Sequence, residues 1–191
     1  MKKLIVIVGL ILIMTTFGRA EFGLGIGGGL LNPGLNKSDV SKSQFDQGWG
    51  YEFLIRHGFV QIADSIQVTA RWSYRYFKTT IELPNVLEIW FKFNYLTLDI
   101  FVDLLESDTF GLYSGLGGSL VSVGAEKDFL KVTETAFVPE VVLGGELFLS
   151  QYYHLFTECS FQFGSIKTGD DQIPLTGFRI VLGATMFLVT E

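Results

Sequence analysis

Between Ile66 and Phe77 the chain alternates residue by residue. Ile66, Val68, Ala70, Trp72, Tyr74 and Tyr76 share one parity, and Gln67, Thr69, Arg71, Ser73 and Arg75 share the other. Successive side chains of a strand point to opposite faces, so this period of two predicts a strand with one apolar and one polar side. Trp49, Tyr51, Phe53 and Ile55 oppose Glu52 and Arg56 in the same way. The pattern recurs where Leu87, Ile89, Phe91, Phe93 and Tyr95 oppose Glu88, Lys92 and Asn94. It recurs again where Leu155, Thr157, Cys159, Phe161 and Phe163 oppose Glu158, Ser160 and Gln162. Near the end, Phe178, Ile180, Leu182, Ala184, Met186 and Leu188 oppose Arg179 and Thr185. Three further strands read less cleanly over Phe22 to Leu31, Phe110 to Val123 and Thr135 to Leu149, which brings the expected number to eight.

Charge spacing supports the same reading without a choice of phase. Glu52 with Arg56, Arg71 with Arg75, Glu88 with Lys92 and Glu140 with Glu146 all stand at even separations. Four such pairs have about one chance in sixteen of agreeing at random on a period-two scaffold. A separation of four would also suit a helix, but aromatics at every second position and frequent β-branched residues favour strands. The connections alternate in length. Long ones run from about Asn32 to Gln47, Ala125 to Glu134 and Gly164 to Pro174, with a medium one from Lys78 to Val86, whereas short turns fall near 63–65, 106–108 and 150–151.

Composition turns these strands into a membrane expectation. Lys2 and Lys3, the apolar run Leu4 to Met14 and the small-residue exit to Ala20 have the three-part layout of a secretory leader. Cleavage is expected after Ala20, leaving 21–191 as one domain. The apolar run is too short to span a bilayer, which takes about twenty residues. Of the whole chain 48% is hydrophobic, yet no later uncharged stretch reaches helix-spanning length. Only helices and closed barrels satisfy every backbone group inside lipid, so an eight-stranded antiparallel up-and-down transmembrane β-barrel is the membrane fold that remains. With an even number of strands both termini face the periplasm, and the long loops face outward. Loss of Lys2, Lys3 and Arg19 takes the formal charge from -6 to -9, which argues against a nucleic-acid partner. Cys159 is the only cysteine and has no disulfide partner within the chain.

Parity then sorts the charges. Arg56, Arg71, Arg75, Lys92 and Arg179 are expected to face inward together with Glu52, Glu88, Glu140, Glu146 and Glu158. An Arg or Lys facing lipid near the midplane costs roughly 2–4 kcal/mol, so a register that turned this set outward would cost on the order of ten kcal/mol. A soluble lipocalin-like barrel would show the opposite sorting. The interior of an eight-stranded barrel is just wide enough for side chains to fill it, so no open pore is expected. Folding the hairpins back predicts a lumenal ion-pair network with Glu52, Arg75 and Glu88 together and Glu158 beside Arg179. Trp49, Tyr51, Tyr74 and Tyr76 are placed in an external aromatic girdle, and Tyr152 and Tyr153 in a periplasmic one.

Gly23, Gly25 and Gly28 satisfy the dinucleotide-binding spacing, but that fingerprint belongs between a strand and a helix. Glycines alternating inside one strand read instead as close packing or bending of a barrel wall. Glu140 and Glu146 could be taken for a catalytic carboxylate pair. On one strand, they are more simply lumenal partners of arginine. His57 and His154 stand too far apart to suggest a metal site, and no cofactor is expected.

The leader, the glycine-rich first strand FGLGIGGGLL, the strand RWSYRYF and the last strand FRIVLGATMFL together resemble the small outer-membrane β-barrel superfamily, which includes the outer-membrane protein A and X types and opacity-type barrels. The last strand looks like the signal read by the barrel assembly machinery, with Gly183, Met186 and Leu188 at the usual spacing. It departs from that signal by ending in Val189-Thr190-Glu191, not in a terminal aromatic. Some relatives of this architecture are lipid-modifying enzymes with a rim serine and histidine. His154, Glu158 and Ser160 are the nearest group here, but they match no family motif, and His154 is expected at the periplasmic end. The resemblance therefore implies a non-enzymatic barrel with a structural role or a surface-interaction role through external loops. Its partners would be outer-membrane lipid and an extracellular ligand. The loop from Asn32 to Gln47, with Lys37, Asp39, Lys42 and Asp46, is the expected contact site. A lipid-modifying enzyme, a narrow channel and a soluble secreted barrel are the alternatives.

Overall fold

The computed structural model describes residues 22–33, 47–63, 66–83, 86–125, 134–168 and 171–188. The expected leader and most of the expected partner-contact loop lie outside them. The strands are β1 (Phe22–Pro33), β2 (Gly48–Ala63), β3 (Ile66–Leu83), β4 (Val86–Glu106), β5 (Phe110–Ala125), β6 (Glu134–Phe148), β7 (Tyr153–Gln162), β8 (Ser165–Thr168), β9 (Asp171–Pro174) and β10 (Gly177–Leu188). Eight of them close into an antiparallel barrel in the order β1-β10-β7-β6-β5-β4-β3-β2, and β8 and β9 form a hairpin of their own. Closure pairs Phe22 with Leu188 and Pro33 with Gly177, so the first and last barrel strands leave no open edge between them. One end of the barrel carries the short turns, including the 107–109 turn, which Ser107 ties to Phe110. The other end carries the longer connections after β1, β5 and β7, but not the medium one expected from Lys78 to Val86, because β3 and β4 stay paired up to Leu83 and Val86.

The outer wall is an apolar belt. On β4 the outward side chains Leu96, Leu98, Ile100, Val102 and Leu104 are all exposed, while Thr97, Asp99 and Phe101 between them are buried. Leu96 to Leu104 matches the roughly 9–11 residues with which a tilted strand crosses the hydrocarbon. Leu116 on β5, Leu143 on β6 and Leu182 on β10 continue the belt at 68%, 58% and 65% exposure, values that only a surrounding apolar phase makes tolerable. Leu182→Arg is accordingly expected to cost about 2–4 kcal/mol in reversible folding into lipid vesicles, whereas the same change at Asn94 costs about 0–1.

Above the belt, towards the longer connections, the sorting inverts. β4 is 21 residues long, about twice what a crossing needs. In its first half Phe91, Phe93 and Tyr95 are buried and Lys92 and Asn94 lie on the outer side. This corrects the expectation for the segment 87–95: Phe91, Phe93 and Tyr95 do not face lipid, and Lys92 does not face the lumen. The alternation itself was right, but its direction reverses because this stretch stands clear of the hydrocarbon. With water outside, apolar side chains gain by turning inward, as they do in a soluble barrel. Glu88 lies in the part of β4 whose side chains are outside the described set.

Inward positions of β1 are glycine at 23, 25, 27 and 29. A Cβ at Gly23 would meet the Phe187 ring at 2.9 Å, and one at Gly27 would meet Val181 at 2.8 Å. A Cβ at Gly144 would run into Tyr113, and one at Gly117 into Asp99. The glycines therefore supply the room that the large lumenal side chains of neighbouring strands occupy.

Candidate functional site

At the height of the belt the lumen is filled by charge. Arg75, on β3, is fully buried. Its Nε donates to Glu52 Oε1 at 3.0 Å, its Nη1 to Glu140 Oε1 at 2.5 Å and Thr97 Oγ1 at 3.1 Å, and its Nη2 to Asp99 Oδ2 at 2.9 Å. Arg71 lies four residues nearer the short-turn end, two positions along the lumenal face. It donates to the same Asp99 oxygen from Nη2 at 2.8 Å and from Nε at 3.2 Å, and it pairs with Glu158 across the barrel. Tyr113 Oη donates to Glu158 Oε1 at 2.5 Å, and the Phe101 ring lies 4.5 Å from the Arg71 guanidinium. Arg179 Nη2 stands 3.7 Å from Glu140 Oε2, an ion-pair contact too long for a hydrogen bond. Four buried carboxylates thus gather around the two β3 arginines, with Arg179 at the margin as a third cation. Burial of an unpaired charge at this depth would cost several kcal/mol.

The expected site residues separate as follows. Glu52, Arg71, Arg75, Glu140, Glu158 and Arg179 come together at belt height. Arg56 and Glu146 form a second ion pair nearer the short-turn end. Lys92 is on the outer wall. Two partnerships differ from the expected ones, since Glu158 meets Arg71 and Arg179 stands nearest Glu140. Asp99 was absent from the expected set, although it bridges both central arginines. Its signal was the run Leu96, Leu98, Ile100, Val102, which puts Thr97 and Asp99 on the lumenal parity.

Below the network a cavity of about 50 Å³ opens at the short-turn end, lined by Arg56, Asp103, Glu146, His154 and neighbours. His154 Nδ1 is 3.2 Å from Glu146 Oε2, and its ring lies between Phe148 and Phe187 at 4.5 Å from each. A second space of about 10 Å³ follows between Arg56, Tyr113 and Glu158. That is at the lower limit for a single water. Above the network Leu31, Phe77, Phe91, Phe93, Val123 and Val138 form an apolar plug into which Ile166 of β8 and Leu175 are inserted. Three contacts pin this hairpin at its base: Leu175 N donates to Gly164 O at 2.9 Å, Thr176 Oγ1 lies 3.2 Å from the same carbonyl, and Gly164 N donates to Thr176 Oγ1 at 3.1 Å. Gln162 Nε2, at the boundary between the charged and apolar layers, donates to Tyr95 Oη at 3.3 Å.

His154, Glu158 and Ser160 all project inward from β7, but six residues along a strand separate His154 from Ser160 by roughly 20 Å. Glu158 is committed to Arg71 and Tyr113. The three do not assemble a nucleophile and base. Among the described residues no group of acidic, histidine or cysteine side chains is placed to hold a metal.

No protein-family model matches the sequence, and no curated relative does either. Solved structures match in fold. The outer membrane protein OprG from Pseudomonas aeruginosa superposes with a TM-score of 0.62 at 11% identity, over 90% of this chain and 97% of that one. Neisserial surface protein A, NspA, gives 0.58 at 10% identity, over 88% and 97%. The attachment invasion locus protein Ail of Yersinia pestis gives 0.51 at 12% identity, over 88% and 97%. At such identities the likeness is one of architecture, the small eight-stranded barrel of the outer membrane.

Proposed function

We propose that this integral outer-membrane β-barrel is neither an enzyme nor a channel, and that it acts as a rigid, sealed scaffold presenting its longer connections at the cell surface for envelope support or for contact with an extracellular ligand. The observation that carries this reading is the filled lumen, with a charged layer at belt height and an apolar plug above it. A solute would have to part Arg75 from three carboxylates and then displace Phe93, Ile166 and Leu175. Export on a leader cleaved after Ala20 and insertion by the barrel assembly machinery belong to the same reading. Purified protein in planar bilayers is expected to give no unitary conductance steps between pH 5 and 8, and reproducible steps in otherwise intact barrels would overturn the proposal. A lipid-modifying activity finds no support in the separation of His154 from Ser160. Turnover of labelled lipid A that disappears in His154→Ala would revive it.

A further inference from the structure

The charged layer does not balance. Among the described residues at belt height, Glu52, Asp99, Glu140 and Glu158 face Arg71, Arg75 and Arg179, and all of these side chains are buried. The next layer towards the short turns gives no relief, since Arg56 there is paired with Glu146. The surplus negative charge falls between β4 and β6. Asp99 of β4 is the register partner of Gly117 on β5, and Gly117 is the partner of Glu140 on β6. Gly117 has no side chain, and Asp99 Oδ1 occupies the space where its Cβ would stand, so Asp99 leans across β5 towards Glu140. Arg75 binds Asp99 Oδ2 through Nη2 and Glu140 Oε1 through Nη1, and the two carboxyl groups lie within hydrogen-bond reach of each other. Their other oxygens, Asp99 Oδ1 and Glu140 Oε2, are buried without a hydrogen-bond partner. Two ionised carboxylates so placed repel through a medium with little water to screen them.

We propose that Asp99 and Glu140 share one bound proton at neutral pH, which the folded barrel holds and the unfolded chain releases, so that the barrel gains stability as its surroundings acidify. The proton replaces the repulsion with one O–H···O hydrogen bond between Asp99 Oδ1 and Glu140 Oε2. It gives both oxygens a partner and brings the layer to neutrality. A small metal ion would also supply the charge, but among the described residues no group of acidic side chains is placed to hold one. Tyr95 of β4 and Tyr113 of β5 are the other titratable groups facing this layer, and phenols and guanidiniums keep their protons between about pH 5 and 8. The site needs only the closed barrel, whichever end faces outward.

The test follows reversible urea unfolding of the full barrel in lipid vesicles from about pH 5 to 7.5, above the range in which free carboxyl groups titrate. A proton held only by the folded state makes the folding equilibrium constant fall about tenfold per pH unit as pH rises. His57 and His154 titrate in the same window, so the reading is the difference between the parent and Asp99→Asn, which keeps both histidines. The new amide can still donate to Glu140 but has no proton to lose, so Asp99→Asn is expected to remove about one tenfold step per pH unit. Glu140→Gln should remove it too, whereas Glu106→Gln, exposed at the short-turn end, should keep the parent's slope. A second readout needs no variant to fold. Infrared spectra of the parent at neutral pH, in an ester-free detergent, should show the carbonyl stretch of a protonated carboxylic acid that shifts in heavy water, and Asp99→Asn should lack it. Equal slopes in the parent and Asp99→Asn, or no such band in the parent, would each overturn the proposal. So would a loss of stability when tetramethylammonium replaces sodium at constant ionic strength, since a metal cation would then stand in the proton's place. Heat-modifiable mobility of every variant checks that the barrel is closed.

Discussion

Arg75→Met is expected to destabilise the folded barrel by about 4 kcal/mol, the middle of the 3–5 kcal/mol range for breaking a buried ion pair. The cost comes less from the lost attraction than from what remains. Glu52, Asp99 and Glu140 are buried and all three accept hydrogen bonds from this one guanidinium. Without it three carboxylates face one another in a space that excludes bulk water. Reversible urea unfolding in lipid vesicles measures the loss. Adding Glu52→Gln and Glu140→Gln to Arg75→Met should recover at least half of it, because neutral amides no longer repel. A packing role for the Arg75 stem alone predicts no recovery.

Phe93→Ala is expected to cost about 3–5 kcal/mol, the range for truncating a buried phenylalanine. Phe93 has 0% exposure and stacks at 6.4 Å from Tyr95 in the apolar plug. Leu96→Ala, on the lipid side three residues later, should cost well under half as much, since lipid chains fill the space a truncated side chain leaves. A lipid-facing Phe93, which the alternation alone had suggested, would give the two variants similar small effects. The same urea titration separates the cases.

The contrast between these two positions explains where sequence reasoning succeeded. On β3 the lumenal parity of Arg71 and Arg75 was legible because both charges lie at belt height, where lipid on one side and enclosure on the other leave a single inexpensive arrangement. On β4 the period was equally clear, but period does not say which side is wet. Phe91, Phe93 and Lys92 were assigned to the wrong faces because the strand continues past the hydrocarbon and the solvent outside changes from lipid to water. Asp99 escaped because the charges that set the expected parity of its strand, Glu88 and Lys92, stand on the opposite parity.

Partnership was harder to read than facing. Hairpin geometry brings Glu52 beside Arg75, and the strands do pair these residues directly. Arg71 and Glu158 are 87 positions apart and meet only because the sheet closes on itself, so that β3 and β7 look at each other across the lumen. The segment Gly164 to Pro174 was expected to be a plain loop. Its two four-residue strands are too short for periodicity to show, yet the hairpin sends Ile166 into the plug. The glycine face of β1 was recognised as close packing, and the neighbours that need the room, Phe187 and Val181 among them, became visible only with the closed register.

The central claim is that lipid, water and lumen sort side chains along one strand, with the direction of sorting reversed near Asn94. The most direct measurement is a spin-label accessibility scan along β4 from position 91 to 104 in bilayers, using single cysteines in a Cys159→Ser background. Labels at 96, 98, 100 and 102 should collide with oxygen dissolved in the lipid, labels at 92 and 94 with a water-soluble nickel reagent, and labels at 91, 93, 97 and 99 with neither. Lipid exposure at 91 and 93, or water access at 97 and 99, would contradict the account.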